Sequence, residues 1–223
     1  MTVICDRKFE VFVNIKMINK LVWLIVMLSL LTACLGIGSK KNDDTVHYYV
    51  IDVDRGAVAA NFAKNRVLRI KPVKVTSHFR SKNIIFRVGE NEYQPQKMNQ
   101  LFSDPSEMIT EQLKRWMQKT GLFSQVIIGD DQAADMVLEA AVTALYGEAR
   151  KQFSPQSVLE MQFFLMDGND ETSKVMFQTG LRTDVDIDKT TSGNVVKGWK
   201  IGLEELLSTL EDDFSGYFSK LNP

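Results

Sequence analysis

The chain has 223 residues, a formal net charge of −1 at pH 7 and 44% hydrophobic residues. Its 27 basic and 28 acidic side chains form no basic block, which argues against nucleic acid as a partner. This length is enough to bury a sizeable core, and with only two cysteines the chain is not expected to rely on a disulfide framework.

The first predicted element is an apolar run in residues 21–34, LVWLIVMLSLLTAC, which follows Lys20. A positive start, an apolar run of about 7–15 residues and an exit of small residues are typical of a secretory signal peptide. Because Leu31-Thr32-Ala33 lead directly into Cys34, the exit resembles a bacterial lipobox. The resemblance implies cleavage before Cys34, a diacylglyceryl thioether on its sulfur and acylation of its new amine. This covalent lipid is then the membrane anchor, and no other cofactor is predicted.

An uncleaved transmembrane helix is the alternative interpretation of this run. Apolar character can be followed over residues 21–38, near the lower limit of about 18 residues for a bilayer span, although Ser29 and Thr32 weaken it. Residues 1–16 mix acidic with basic side chains, whereas a signal starts with a short basic region, which Met17 opens. We therefore predict a signal peptide over 1–33, with the hypothesis that translation starts at Met17 and that 1–16 is a mis-assigned extension.

The predicted mature chain consists of a tether and one domain. Residues 34–45 contain the lipidated cysteine and then a glycine-rich and charged stretch, which indicates a flexible tether. Fully extended, residues 35–45 reach at most about 35–40 Å, so the domain stays close to the membrane surface. Residues 46–223 are predicted to be the periplasmic domain, and they contain no thiol for catalysis or disulfide exchange.

Runs of β-branched residues or of alternating polarity predict a series of strands. They cover residues 47–53, 66–75, 83–88, 124–128, 134–147, 157–166 and 174–187, with a short return strand at 92–94. Residues 54–65 are predicted to be a loop or a short helix. The turn residues Asp167-Gly168-Asn169-Asp170 predict a hairpin, so the last two strands should be antiparallel neighbours.

Two helices are predicted in the domain. A capping side chain precedes Pro105, apolar residues recur at three- and four-residue steps, and Gly121 provides a stop, so the first helix covers 105–120. The second helix runs from near Gly193 to about Leu221. The resulting fold class is α+β, with a mixed, largely antiparallel sheet and two main helices on one face, preceded by a lipoprotein signal peptide.

The second helix is longer than one small sheet needs, which leaves two interpretations of its far end. The helix packs across the sheet over its whole length, or its aromatic end projects to meet a partner. The second interpretation predicts partner contacts at Phe214, Tyr217 and Phe218. The loop 78–83 is predicted to add a further contact at Phe79.

No motif for catalysis or metal binding was found in the sequence. His47 and His78 have no companions at the spacing that a zinc site or a general base needs. Asp184, Asp186 and Asp188 alternate along a predicted strand and could hold a calcium ion, but they lack the loop pattern of an EF-hand, so a solvated strand face is preferred. Without a GxSxG, HExxH or P-loop motif, we predict neither an enzyme nor a metal site.

A set of short runs in the domain carries a family resemblance. The runs are RVLRIKPVKV at 66–75, IIFRVGENEY at 84–93, Pro105, Met108, Leu113, TGLF at 120–123, Val126 and ADMVLE at 134–139. Together with the amphipathic C-terminal helix, they resemble the auxiliary lipoprotein component of ABC-type transport systems, the PqiC/YmbA-like family. The resemblance implies a periplasm-facing lipoprotein that works with an ABC permease, an ATPase and an MCE-type (MlaD-like) protein carrying lipid between membranes.

The resemblance also implies a location. Leu35, and not an aspartate, follows Cys34. Under the sorting rule known for enteric bacteria this implies the outer membrane, with the domain facing the periplasm.

Three functions stay open on the sequence alone. The first is a non-catalytic accessory component of an ABC/MCE-type lipid transport system in the Gram-negative envelope, with a homo-oligomer left open. The second is a lipid- or lipopolysaccharide-binding outer-membrane assembly lipoprotein, which predicts an apolar groove between helix and sheet. The third, a lipid-anchored enzyme, is disfavoured because no nucleophile and base are paired in the sequence.

Overall fold

The computed structural model of the chain describes residues 45–63, 66–129, 133–169 and 174–221, together with the isolated Lys20 and Trp23. The chain divides into two units, Met1–Asp44 and Thr45–Pro223, and the description below concerns the second. The predictions for the signal peptide, for Leu31, Thr32, Ala33 and Cys34, and for the tether up to residue 44 lie outside the described residues. Within these ranges, no helix has both the length and the apolar character that crossing a membrane requires.

Nine strands and two α-helices make up the described part of the second unit. The strands are β1 (His47–Tyr49), β2 (Val67–Ile70), β3 (Lys74–Val75), β4 (Asn83–Arg87), β5 (Tyr93–Leu101), β6 (Gln125–Ile128), β7 (Met136–Glu148), β8 (Gln156–Asp167) and β9 (Val175–Asp186). The helices are α1 (Pro105–Lys119) and α2 (Ser192–Leu221), and Ser77–Phe79 form a single 3-10 turn. Both helix predictions are therefore confirmed to within one or two residues.

The sheet is organised around the long strand β7. One edge of β7 pairs antiparallel with β8, which in turn pairs antiparallel with β9. The other edge receives β2, β3 and β4 in succession, all of them parallel to β7. From there the sheet branches, since β2 also pairs with β6, while β4 pairs with β5 and β5 with β1. The predicted mixed α+β architecture is confirmed, and its two longest pairings are antiparallel.

The predicted strand 66–75 is divided into β2 and β3. Pro72 has no N–H to donate to the sheet, and the next amide, that of Val73, donates to Thr110 Oγ1 of α1 at 2.9 Å. Pairing with β7 resumes at Lys74. A proline and one hydroxyl group on a helix therefore convert one predicted strand into two.

The predicted first strand is shortened for a similar reason. β1 ends at Tyr49, and the amides of Ile51 and Val53 donate to Met108 Sδ at 3.2 Å and to Gln112 Oε1 at 3.0 Å. Side chains of α1 thus serve as the hydrogen-bond acceptors for these amides in place of a neighbouring strand. The return strand predicted at 92–94 is, in contrast, longer than expected. It is the nine-residue strand β5, although β5 contains Pro95 and few apolar residues.

Both helices cover one face of the sheet and enclose a single core. The buried face of α1 includes Met108, Ile109, Leu113, Trp116 and Met117, as the three- and four-residue spacing predicted. No side-chain hydrogen bond caps the start of α1, so the prediction that a side chain before Pro105 caps this helix was wrong. α2 packs along β8 and β9 with large side chains that are fully buried, among them Trp199 and Phe214.

Candidate functional site

The aromatic end of α2 is buried in the protein. Phe214 and Phe218 meet the ring of Phe123, with centroids 6.2 and 5.7 Å apart, and the guanidinium of Arg66 lies 4.1 Å from the centroid of Phe218. Tyr217, which is half-buried, packs on Phe177 at 5.5 Å. The prediction that Phe214 and Phe218 contact a partner was therefore wrong. The far end of the helix is held by aromatic packing against the loop after α1 and against β9.

Phe79 is also a core residue and is not exposed to a partner. Its ring stacks on Tyr146 of β7 at 6.0 Å and meets Tyr93 of β5 edge-on at 5.7 Å. His78 lies against it at 4.3 Å and stays exposed, as do the neighbouring loop residues 80–82. The loop 78–83 therefore presents polar side chains, and its phenylalanine attaches it to the sheet.

A buried ion pair lies at the C-terminal end of β7. Arg150 makes two hydrogen bonds to Glu148, from Nε to Oε1 at 2.9 Å and from Nη2 to Oε2 at 2.8 Å, and a third to Glu90 at 3.1 Å. Burial alone raises the pKa of Glu148, but the hydrogen bonds from the side chain and backbone of Arg150 outweigh burial and lower this pKa below its ordinary value of 4.5. The pair is saturated with internal partners, which indicates a structural and not a catalytic role.

The Glu148→Gln protein is expected to lose stability mainly above pH 5. A carboxyl group whose pKa is lowered by folding stabilises the protein above its ordinary, unfolded pKa of 4.5, and this contribution disappears as the pH falls through the lowered pKa. Urea unfolding between pH 3 and 7 should therefore show a difference from the parent that shrinks on acidification. Glu90→Gln serves as the control because that side chain is exposed. A Glu148→Gln difference that is constant with pH contradicts this prediction.

An extended segment, residues 50–63, runs across α1 and ties it to the rest of the domain; we call it the strap. Asp52 pairs with Arg115, and Asp54 pairs with Lys119, whose hydrogen bond lowers the pKa of Asp54. The amides of Ala59 and Ala63 donate to the carbonyls of Lys119 and Gly121 at 2.9 and 2.8 Å, which satisfies the C-terminal end of the helix. Residues 54–65 were predicted to be a loop or a short helix, and those that the structure describes form a loop.

The strap also reaches the second helix. Arg55 binds both carboxylate oxygens of Glu211, at 2.8 and 2.6 Å, and the indole of Trp116 donates to Glu211 Oε2 at 3.0 Å. One carboxylate of α2 therefore joins the strap and α1. This connection links the two helices and the strap through a single side chain.

A concave surface lies at the start of α2. It has a volume of about 710 Å³ and is bounded by amide side chains of β5 and by hydroxyl groups at the beginning of the helix. These polar groups are Gln94, Gln96, Asn99, Thr190, Thr191 and Ser192. The residues lining this groove are uncharged, and no cluster of three potential metal ligands occurs among the described residues. The groove can offer hydrogen bonds, but it contains no acid, base or nucleophile in a catalytic arrangement.

Two of the three aspartates considered as calcium ligands, Asp184 and Asp186, have other partners. Asp184 binds the guanidinium of Arg182 through both oxygens, at 2.9 and 2.7 Å. Asp186 accepts a hydrogen bond from Gln156 at 3.0 Å. These side chains stabilise the outer surface of β8 and β9.

An exposed apolar surface, which sequence reasoning missed, lies where the domain begins. We call it the corner patch and define it as Tyr48, Val50 and Phe102, whose exposed fractions are 59%, 55% and 69%. The rings of Tyr48 and Phe102 meet edge-on at 6.2 Å. Alternation along HYYVIDV, with Tyr49 and Ile51 pointing inward, was the signal that could have revealed it.

The described architecture coincides with a family match. The family model described as "ABC-type transport auxiliary lipoprotein component" matches residues 49–210, from the end of β1 to the last third of α2. The chain belongs to this family. The match includes α1, the first two thirds of α2, the strap and eight complete strands. The suspected resemblance is thereby confirmed, and the family is one of transport auxiliary lipoproteins.

Solved structures show the same fold as this auxiliary lipoprotein domain. Protein XCC0632 from Xanthomonas campestris, of the DUF330 family, has a TM-score of 0.65 and 14% identity, with 74% of this chain and 93% of that chain covered. An uncharacterized protein has a TM-score of 0.58 and 14% identity, with 76% and 98% covered. No curated protein sequence matches the chain at a significant level. At such identities these similarities support the fold alone.

Proposed function

We propose that this ABC-type transport auxiliary lipoprotein is the non-catalytic accessory component of an ABC/MCE-type system that carries lipid across the Gram-negative envelope. It is anchored through lipid on Cys34, in the outer membrane and facing the periplasm, and it contacts the MCE (MlaD-like) protein of the system. The observation that carries the proposal is the family match over residues 49–210. The lipobox and Leu35 support the anchor and its location.

The packing of α2 supports a role in protein contacts over direct lipid carriage. A lipid-binding lipoprotein was predicted to have an apolar groove between helix and sheet. Trp199, Leu203 and Phe214 fill this interface at 0–1% exposure in the described structure. An acyl chain could enter there only if the helix separated from the sheet, which would expose much of the core.

A protein partner also suits the open edges of the sheet. In the described residues β9 pairs only with β8, so its outer edge offers backbone groups along twelve residues. Such an edge can pair with a strand of another protein or with a second copy of this chain. The homo-oligomer remains part of the proposal.

Co-purification tests the proposed function. The full-length lipidated protein, extracted from native envelopes in mild detergent, is expected to retain an MCE-type protein together with a permease and an ATPase, as identified by mass spectrometry. An unrelated outer-membrane lipoprotein, extracted in the same way, is the control. Recovery of bound lipid at near one-to-one stoichiometry, without any MCE-type protein, contradicts the accessory role and supports the lipid-binding alternative.

A further inference from the structure

We infer that the corner patch, Tyr48, Val50 and Phe102, is a membrane-contact surface that lies in the headgroup region of the bilayer holding the lipid on Cys34. The inference rests on the proposed function in one respect, the lipid anchor. It adds a second attachment, made by side chains, and it therefore determines which side of the domain faces the membrane.

The corner patch is presented rigidly by the sheet. In the pairing of β1 with β5, Tyr48 lies opposite Gln100 and Tyr49 opposite Leu101. The amide of Phe102 donates to the carbonyl of Tyr49 at 2.9 Å, which continues this ladder by one residue. Since successive side chains point to opposite faces, Tyr49 and Leu101 enter the core while Tyr48 and Phe102 point outward.

Covalent connectivity identifies the membrane as the occupant. Only residues 35–47 separate Cys34 from Tyr48. Whatever their conformation, covalent geometry limits the span of these residues to about 45 Å. The tether therefore keeps the corner patch at a high effective concentration next to the bilayer surface.

The chemistry of the corner patch suits a lipid headgroup layer. A phenylalanine and a valine supply apolar area, and tyrosine combines an apolar ring with a hydroxyl group, a combination that is enriched at membrane interfaces. The side chains of the corner patch are uncharged, and Asp52, which is close to it in the chain, is paired with Arg115. Contact is thus expected on uncharged lipids as well as on anionic ones.

Depth-dependent fluorescence quenching tests the inference. Phe102→Trp is introduced into the full-length lipidated protein, which is reconstituted in vesicles of phosphatidylethanolamine and brominated phosphatidylcholine. Trp116 and Trp199 are buried, so the parent protein supplies the background emission. The introduced indole is expected to show blue-shifted emission and strong quenching by the brominated lipid. Phe153→Trp is the matched control, because Phe153 is 49% exposed and belongs to the loop between β7 and β8.

The outcomes separate the corner patch from the anchor. Quenching of Phe102→Trp alone supports the inference. Equal or absent quenching of both variants, in protein that floats with the vesicles, overturns the membrane contact and leaves the anchor intact. Protection of the Phe102→Trp indole from aqueous iodide without lipid quenching assigns the corner patch to a protein and overturns the inference. Protein that fails to float overturns both the anchor and the contact.

Discussion

Replacing Cys34 with serine is expected to abolish acylation completely and to release the protein from the membrane, while the domain stays folded. A serine hydroxyl group cannot form the thioether, so replacing this one sulfur atom with oxygen removes the anchor. Each buried methylene group contributes about 0.8 kcal/mol to membrane binding, and two or three acyl chains together make attachment effectively stable. No other single substitution in this chain is expected to have so large an effect on its location.

Membrane fractionation and intact-mass measurement test this expectation. The parent protein should show the mass of a chain that starts at Cys34 with its lipid, whereas the Cys34→Ser protein should carry no lipid mass. Cys5→Ser is the matched control and should leave both mass and location of the mature protein unchanged. A Cys34→Ser protein that stays in the membrane and retains residues before position 34 would instead indicate an uncleaved helix. Detection of a peptide from residues 1–16 in the precursor would contradict the start at Met17.

Gly198→Ala is expected to destabilise the domain, although alanine is the better helix former. A methyl group at this position of α2 would collide with Ser157 of β8, lying 2.8 Å from its Oγ, and it would also meet Ile187 at 3.3 Å. Ser157 cannot move away freely because its hydroxyl donates to the carbonyl of Val195 at 2.7 Å. Overpacking of this kind costs about 1–3 kcal/mol, which exceeds the gain of about 1 kcal/mol from helix propensity.

Gly216→Ala gives a control of opposite sign in the same helix. Apart from the adjacent residues and the backbone of α2 itself, no described atom lies within 4 Å of the methyl group that this substitution would add. It should therefore raise the free energy of unfolding by about 0.5–1 kcal/mol through helix propensity alone. Urea unfolding of both variants measures the contrast. If Gly198→Ala stabilises the protein as much as Gly216→Ala does, α2 does not pack on β8 as closely as described.

The same two glycines show which features of α2 could be predicted from the sequence and which could not. The helix 105–120 and the helix to Leu221 follow from local patterns, because apolar residues three and four apart can share a buried face only in a helix. That Gly198 lies against a strand, while Gly216 faces open space, depends on the approach of a strand about 40 residues earlier in the chain. No local pattern distinguishes these two glycines.

Strand prediction succeeded where alternation was long and failed where the partner determined the structure. The strands β7, β8 and β9 were predicted to within a few residues from their own side chains. β5 is polar and contains Pro95, so its extended conformation depends on pairing with β4. β1 and β2 end early because the backbone amides that follow them donate hydrogen bonds to side chains of α1. The acceptors are Met108 and Gln112 after β1 and Thr110 after β2.

The candidate contact residues have a related explanation. Exposure of Phe214 and Phe218 depends on whether other aromatic residues meet them, and Phe123 and Phe177 come from distant parts of the chain. Phe79 is similarly buried by Tyr93 and Tyr146. The corner patch is exposed for the converse reason, since the described structure places no element over it.

The helices, the long strands, the lack of catalytic motifs and the predicted lipid attachment at Cys34 all follow from local runs of residues, because each depends on residues close together in the chain. The family could also be identified from runs along the sequence, as the match over residues 49–210 confirms. Local runs of residues do not reveal which aromatic rings are buried and which are exposed, and this distinction depends on the fold. Burial is a property of contacts between distant segments, and these contacts bury Phe79, Phe214 and Phe218 but expose Tyr48 and Phe102.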